Sequence, residues 1–266
     1  TNPMMFNAII AVVITALVAG VILGGLKRVA YVTSRLVPIM AISYFLMTLA
    51  VLFNHLPEIP AIFSSIFVQA FKAEAISGGI LGVIIIGVSR GVFSNEAGIG
   101  TAPMAHGAAK TDEPIREGLV AMLGPAIDTL IVCTLTALAI LVTGVWETTS
   151  DNGVTLTASA FNNAMPGIGN YLLMICVVIF SVSSLFSYSY YGSKCMSFLI
   201  GADKKHYYNY IYIISIILAV LTPFSMMLNL IDGVFALMAI PTMTATIILA
   251  PRVTKEIKSY FKRIKD

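Results

Sequence analysis

The chain has 266 residues, of which 58% are hydrophobic and only 11% are charged, and its mean hydropathy is +0.91. A soluble domain carries about 25% charged residues, and several apolar runs here approach or exceed the ~20 residues that cross a bilayer. The composition therefore excludes a soluble protein with a large core and predicts an integral membrane protein of the all-α class.

Seven apolar segments are long enough to be membrane spans. In chain order they cover residues 4–26, 36–54, 77–106, 117–145, 167–193, 208–228 and 229–250. We expect residues 57–75 to form a shorter amphipathic piece on the surface, and the polar stretch 146–169 to be a loop that can fold over an opening. The predicted domains are a transmembrane helical domain over residues 1–250 and a basic tail over 251–266, which reads as an amphipathic helix on the membrane surface.

The sixteen Lys and Arg residues support this segmentation. When the segments alternate in direction, only Lys72 falls on one side and Arg90 lies within the third segment. The fourteen on the other side are Lys27, Arg28, Arg35, Lys110, Arg116, Lys194, Lys204, Lys205 and six residues from Arg252 to Lys265. By the positive-inside rule, the tail is cytoplasmic and the first segment runs from outside to inside. The net charge of +3 thus reflects topology and gives no support to a nucleic-acid partner.

The third segment contains a polar stretch, GVSRGVFSNEAGIGTAP, at what should be membrane depth. Ser94 and Asn95 compete with helical hydrogen bonds, Gly98 and Gly100 permit unusual dihedral angles, and Pro103 lacks a donor. Irregular backbone survives in a membrane only where it is buried or lines a cavity. We therefore predict two half-helices with an unwound joint, whose ends attract an ammonium group and a carboxylate. A zwitterionic amino acid fits this description.

Close packing of small residues is the alternative explanation of such a stretch, but it does not account for Glu96. A carboxylate at this depth is costly and indicates a functional site. The same stretch also matches the G-x-S-x-G motif of serine hydrolases through Gly87, Ser89 and Gly91. That motif requires a preceding strand and a histidine partner, whereas a membrane helix precedes it here. We therefore expect a protein that is not an enzyme.

The fifth segment is apolar apart from a run of serines, which are Ser181, Ser183, Ser184, Ser187 and Ser189. Hard cations prefer oxygen ligands, so these hydroxyls are candidates for a cation site. The alternative is that each serine bonds back to the preceding turn of its own helix. Asp128 in the fourth segment also has alternative roles. It either pairs with Arg90 or takes part in ion coupling, or it makes a structural hydrogen bond. Asp232 is expected to cap a helix.

Two stretches, RGVFSNEAGIGTAP and AAKTDEPIREGLVAMLGPAIDTLIVCTLTAL, closely resemble the alanine/glycine:cation symporter family, also called sodium:alanine symporters, and the match continues into SYSYYGSKC. Members of that family are similar in fold to the LeuT-type inverted-repeat transporters. The resemblance implies that the third segment is the broken first helix of the second repeat. About four further helices precede the matching region in the family.

The resemblance also implies roles for individual residues. Those expected to line or brace the substrate site are Phe93, Ser94, Asn95, Glu96, Gly98, Ser184 and Tyr188. Phe93 would pack against the side chain of a small substrate, and Ser183 and Ser184 would supply hydroxyl oxygens to Na⁺. Tyr188 lies one helical turn after Ser184, at a position where the family often has Trp. Asp128 and Arg90 are candidates for ion coupling or for a structural role.

The function that follows is secondary active symport of alanine or glycine with a cation across the plasma membrane by alternating access. The expected coupling ion is Na⁺, with H⁺ as the alternative, and no cofactor is expected. The competing hypothesis is a non-transporting helical membrane subunit or a passive channel. Because the first broken helix of the fold is missing from these residues, we expect no transport from a chain that truly starts at Thr1 and transport from a longer protein.

Overall fold

The structure, a computed structural model, describes residues 3–72, 80–204, 206–220 and 222–265. Every regular element in these ranges is helical. The chain divides into two compact units. Unit 1 comprises Thr1–Ile80 and Val132–Leu221, and unit 2 comprises Leu81–Ile131 and Thr222–Asp266.

The helices are numbered in chain order. They are α1 (Pro3–Ile22), α2 (Leu26–Asn54), α3 (Ile59–Ala70), α4 (Ile80–Asn95), α5 (Ala102–His106), α6 (Pro114–Val142), α7 (Val145–Thr148), α8 (Val154–Ala164), α9 (Gly169–Ile200), α10 (His206–Val220) and α11 (Phe224–Lys265). Short 3-10 turns cover Leu56–Glu58 and Ala202–Lys204. Within α6, residues Ala126–Cys133 form a π-helix.

Among the described residues, five helices are long and apolar enough to cross a membrane, which agrees with a multi-pass membrane protein. They are Met5–Ile22, Lys27–Asn54, Pro114–Val142, Gly169–Ile200 and Phe224–Ile264. The predicted count of seven is not confirmed. The third predicted segment is divided between the 16-residue α4 and the five-residue α5, and its first three residues lie outside the described ranges. The sixth corresponds to α10, whose 15 residues reach about 22 Å, less than the ~30 Å hydrocarbon core.

Helix boundaries near the C-terminus differ from the prediction. The last two segments were expected to meet at residues 228 and 229, but α10 ends at Val220 and α11 begins at Phe224. Pro223 lies between them. A proline has no backbone N–H, so it cannot donate the hydrogen bond that would continue the preceding helix. The 42 residues of α11 then continue through the predicted tail. The tail is therefore helical, as expected, but it is an extension of the last span.

Unit 1 is built around two apolar clusters. The first consists of Val51, Leu52, Leu138, Ala139, Val142, Phe161 and Leu173. The second consists of Val18, Ile22, Val29 and Phe186. Both clusters contain side chains of α2 and α9, so these two helices form the centre of the unit. The first cluster also holds Ile59 and Ile62 of α3, which places this amphipathic helix against α2 and the second half of α6.

The stretch expected to be an open polar loop is instead two helices, α7 and α8. Ala158, Phe161 and Met165 recur at helical spacing and contact the first cluster, because three- and four-residue steps place side chains on one face. Phe161 is fully buried and stacks on Tyr44, with ring centroids 6.0 Å apart. The prediction of a loop was wrong because a polar composition concealed one apolar face.

Candidate functional site

The predicted break in the third segment is present in unit 2. Helix α4 ends at Asn95, and the next helical residue is Ala102. The Asn95 Oδ1 atom accepts a hydrogen bond from the backbone N–H of Ala97 at 2.9 Å, a local bond that competes with the helical pattern. Glu96 then adopts a left-handed conformation, with φ 56°. The side chain of Asn95 and the reversal at Glu96 thus end the helix together.

Two glycines set the path of the joint. Gly98 and Gly100 have φ values of 89° and 93°, which residues with a Cβ rarely adopt. A Cβ on Gly100 would lie 2.7 Å from Oγ1 of Thr242 in α11, and one on Gly98 would lie 3.2 Å from Sδ of Met243. The backbone conformation therefore favours glycine at both positions, and the close approach of Thr242 adds to this at Gly100. Ile99, which lies between the two glycines, is buried, and so is Thr101, which follows them.

The last two residues of α4 bind two consecutive residues of α6. Ser94 Oγ donates a hydrogen bond to Asp128 Oδ2 at 2.6 Å, and Asn95 Nδ2 donates to Thr129 Oγ1 at 3.0 Å. Asp128 and Thr129 both lie in the π-helical part of α6. π-Helical turns are rare and frequently occur at functional sites. Asp128 therefore makes a structural hydrogen bond, and its role in ion coupling stays a prediction.

Arg90 pairs with Asp232 and not with Asp128. Its Nη1 and Nη2 atoms lie 3.1 and 3.0 Å from the two carboxylate oxygens of Asp232, which is a bidentate ion pair. One turn further along each helix, the rings of Phe93 and Phe235 lie 4.7 Å apart. The predicted cap role of Asp232 was wrong, because α11 begins eight residues earlier, at Phe224. The ion pair and the ring pair instead fix the C-terminal part of α4 against α11.

The residues predicted for the substrate site and the Na⁺ site therefore separate into two sets. Phe93, Ser94, Asn95, Glu96 and Gly98 are nearly consecutive at the break in unit 2. Ser94 is exposed, and the other four are half-buried. The second set lies on α9 in unit 1 and comprises Ser183, Ser184 and Tyr188. The binding roles of both sets stay predictions.

Three serines of α9 bond back to their own helix. Ser183 Oγ donates to the carbonyl of Phe180 at 2.9 Å, and Ser189 Oγ donates to that of Phe186 at 2.7 Å. Ser187 Oγ donates to the carbonyl of Ser183 at 3.2 Å. A hydroxyl that donates in this way keeps its oxygen lone pairs for a further partner. The observed bonds are thus compatible with either reading of the serine run.

Helix α10 contacts α9 next to Ser183 and Ser184. The sequence did not predict this contact. The Tyr212 hydroxyl donates to the carbonyl of Leu185 at 2.9 Å, and the Tyr212 ring stacks on Tyr208 with centroids 5.8 Å apart. Further along, Ser193 Oγ donates to Asn209 Oδ1 at 2.9 Å. No regularity of spacing links these residues, so only the packing of the two helices identifies them.

Two polar contacts join the other end of unit 2. Nδ1 of His106, the last residue of α5, lies 2.7 Å from Oε1 of Glu117 in α6. Arg263, near the end of α11, lies 3.1 Å from Oε1 of Glu113.

The hydrolase motif lies within α4, where Ser89 is part of a helix and no strand occurs among the described residues. The strand–turn–helix context of a nucleophile elbow is therefore not found there.

The model of the family described as "Sodium:alanine symporter family" matches residues 2–266. The chain belongs to the sodium:alanine symporter family. Among its relatives, the sodium/alanine symporter AgcS of Methanococcus maripaludis is 37% identical over 252 residues, which are 93% of this chain and 55% of that protein. The amino-acid carrier protein AlsT of Bacillus subtilis is 34% identical, over 97% of this chain and 56% of its own length.

A third relative, the probable sodium/glutamine symporter GlnT of Bacillus subtilis, is 30% identical over 96% of this chain and 54% of its own length. The chain thus spans about half the length of these curated relatives. Membership of the sodium:alanine symporter family agrees with the resemblance found in the sequence.

Proposed function

We propose that the protein is a secondary active symporter that moves alanine or glycine together with Na⁺ across the plasma membrane. The observation that carries this proposal is the break between α4 and α5, with its polar contacts to α6, in a chain of a symporter family. A helix broken at membrane depth is the usual substrate-binding device of inverted-repeat transporters. Transport breaks no covalent bond, so the protein is proposed not to be an enzyme.

The substrate is proposed to bind at the break. The last carbonyl groups of a helix lack intrahelical partners and carry partial negative charge, so the end of α4 favours an ammonium group. Ser94, Asn95 and Glu96 supply polar atoms around it, and Phe93 provides an apolar wall for a small side chain. The names of relatives include both an alanine and a glutamine symporter. We propose a small neutral substrate because glycines and one phenylalanine line the stretch.

Na⁺ is proposed to bind oxygen atoms of Ser183 and Ser184 on α9. Ser183 is 5% exposed, and its hydroxyl hydrogen is directed to the carbonyl of Phe180. The oxygen lone pairs are therefore left for a cation, which prefers such hard ligands. The sodium/alanine symporter AgcS is similar to 93% of this chain, which favours Na⁺ over H⁺ as the coupling ion.

The proposed architecture is the LeuT-type fold, with α4 and α5 as one broken span and α10 as a short one. This assignment gives seven spans and leaves the C-terminus in the cytoplasm, as the distribution of Lys and Arg indicates. Coupling follows if the substrate and the ion each favour the closed state and stabilise it most when both are bound. Family membership favours this mechanism over a channel or a non-transporting subunit.

Replacing both Ser183 and Ser184 by alanine should raise the Na⁺ concentration for half-maximal alanine uptake at least about tenfold. Interactions with a charged group contribute about 1.5–3 kcal/mol each, and the double variant removes two of them. The measurement is uptake by the full-length protein in vesicles over a range of Na⁺ concentrations. Ser181→Ala is the matched control, because Ser181 lies on the same helix and is exposed. An unchanged Na⁺ dependence in the double variant would sink the assignment.

A further inference from the structure

The C-terminal part of α11, residues 252–264, has one strongly basic face, and we call it the basic helix. Its exposed basic side chains are Arg252, Lys255, Lys258, Lys262 and Arg263, and Glu256 is its single acidic residue. At 3.6 residues per turn, these five positions fall within an arc of about 140°. The positive charge is therefore concentrated on one side of a continuous helix.

The opposite side of the basic helix is apolar. Val253, Ile257, Tyr260, Phe261 and Ile264 fall within an arc of about 100°. Phe261 is 45% exposed and Ile264 is 63% exposed, whereas Ile257 and Tyr260 are half-buried. A helix that is apolar on one side and rich in Lys and Arg on the other is typical of segments that lie in the interface of a membrane.

Carboxylates of the protein account for little of this charge. Arg263 pairs with Glu113 at 3.1 Å. Within the described part of the chain, the other four basic side chains form no ion pair with a carboxylate. Their charges thus face solvent or another molecule, and charge complementarity requires that molecule to be anionic.

The length of α11 shows where the anionic partner lies. Its 42 residues extend about 63 Å, whereas the hydrocarbon core is about 30 Å thick and the whole bilayer is about 40–45 Å thick. The apolar part of α11 precedes Arg252 and occupies the core. The basic helix must therefore lie at or beyond the headgroup layer of the same bilayer.

We propose that the basic helix binds the headgroups of anionic phospholipids in the membrane that α11 spans. Each Lys or Arg near an anionic surface contributes about a fivefold gain in binding. The basic helix is the end of α11, and the earlier part of α11 contacts the broken segment through Asp232, Phe235 and Thr242. Bound anionic lipid therefore stabilises the helix against which the break between α4 and α5 is packed.

The test is amide hydrogen exchange of the basic helix in the full-length protein, in nanodiscs of phosphatidylcholine alone or mixed with phosphatidylglycerol. We expect slower exchange with phosphatidylglycerol, and we expect high salt to reduce the difference, because salt screens charges at a surface. The triple substitution Lys255→Gln, Lys258→Gln and Lys262→Gln should reduce the slowing of exchange by phosphatidylglycerol. The expected reduction is about fivefold for each lysine replaced.

The matched control replaces the same three lysines by arginine, which keeps the charge and should keep the preference for phosphatidylglycerol. Equal exchange of the unmodified protein in the two kinds of nanodisc would overturn the proposal. So would an undiminished difference in the glutamine variant. Inorganic phosphate is added to the phosphatidylcholine nanodiscs as a further arm, and slowing there would show that a free anion, and not a lipid surface, is the ligand. None of these exchange measurements depends on transport activity.

Discussion

Alanine uptake by the full-length protein is expected to fall at least about tenfold when Asp128 is replaced by asparagine. Ser94 Oγ lies 2.6 Å from the Asp128 carboxylate, and hydrogen bonds to charged groups contribute about 1.5–3 kcal/mol. Asparagine keeps the shape and can still accept a bond but removes the charge, so the end of α4 would be held less firmly. Ser94→Ala should have an effect of similar size, because it removes the other partner of the same bond.

Initial uptake rates at saturating Na⁺, normalised to the amount of protein in the vesicles, measure this effect. Asp112→Asn is the matched control, since Asp112 is exposed in the turn before α6. The double variant of Ser94 and Asp128 should be no worse than the more severe single variant, because residues that act through one contact are not additive. Uptake within twofold of the unmodified protein in the Asp128 variant would mean that this bond does not position the break.

The second large effect is expected at the ion pair between Arg90 and Asp232. Removing one partner leaves a lone charge at proposed membrane depth, which is costly, whereas removing both leaves none. Arg90→Gln and Asp232→Asn should each lower the free energy of unfolding, and the double variant should lose less than the sum. The bidentate geometry, with distances of 3.1 and 3.0 Å, leads us to expect a coupling free energy of about 1–3 kcal/mol.

A double-mutant cycle on the purified protein, unfolded in mixed micelles, gives this coupling directly. The exchanged pair, Arg90→Asp with Asp232→Arg, should recover part of the stability that either reversal alone removes. Strictly additive losses, within about 0.5 kcal/mol, would show that the two side chains do not depend on each other. Phe93 and Phe235, whose rings are in contact, are not substituted in any of these variants.

Local chemistry made the break predictable from the sequence. Asn95 ends a helix because its side chain can replace a backbone partner, and Gly98 and Gly100 can take conformations that other residues avoid. The structure has these features, including the side-chain bond to the N–H of Ala97. Such signals act over a few residues and can therefore be read from one sequence.

Contacts between distant residues could not be predicted in the same way. Arg90 and Asp232 are 142 positions apart, and the sequence suggested Asp128 as the partner of Arg90 and a cap role for Asp232, because periodicity gives the face of a helix but not its neighbour. The π-helical turn that presents Asp128 and Thr129 to the break leaves no compositional signal. Helix α8 was missed for a related reason, since its few apolar residues become informative only when Phe161 is seen in the core.

The most direct test of the central claim is uptake of labelled alanine into vesicles that contain the full-length protein. An inward Na⁺ gradient is compared with an equal K⁺ gradient and with a proton gradient, and unlabelled glycine is added as a competitor. We expect alanine to accumulate against its own gradient only when Na⁺ drives it, and we expect glycine to reduce that uptake. Alanine uptake that is indifferent to every cation gradient would contradict the account of a cation-coupled symporter.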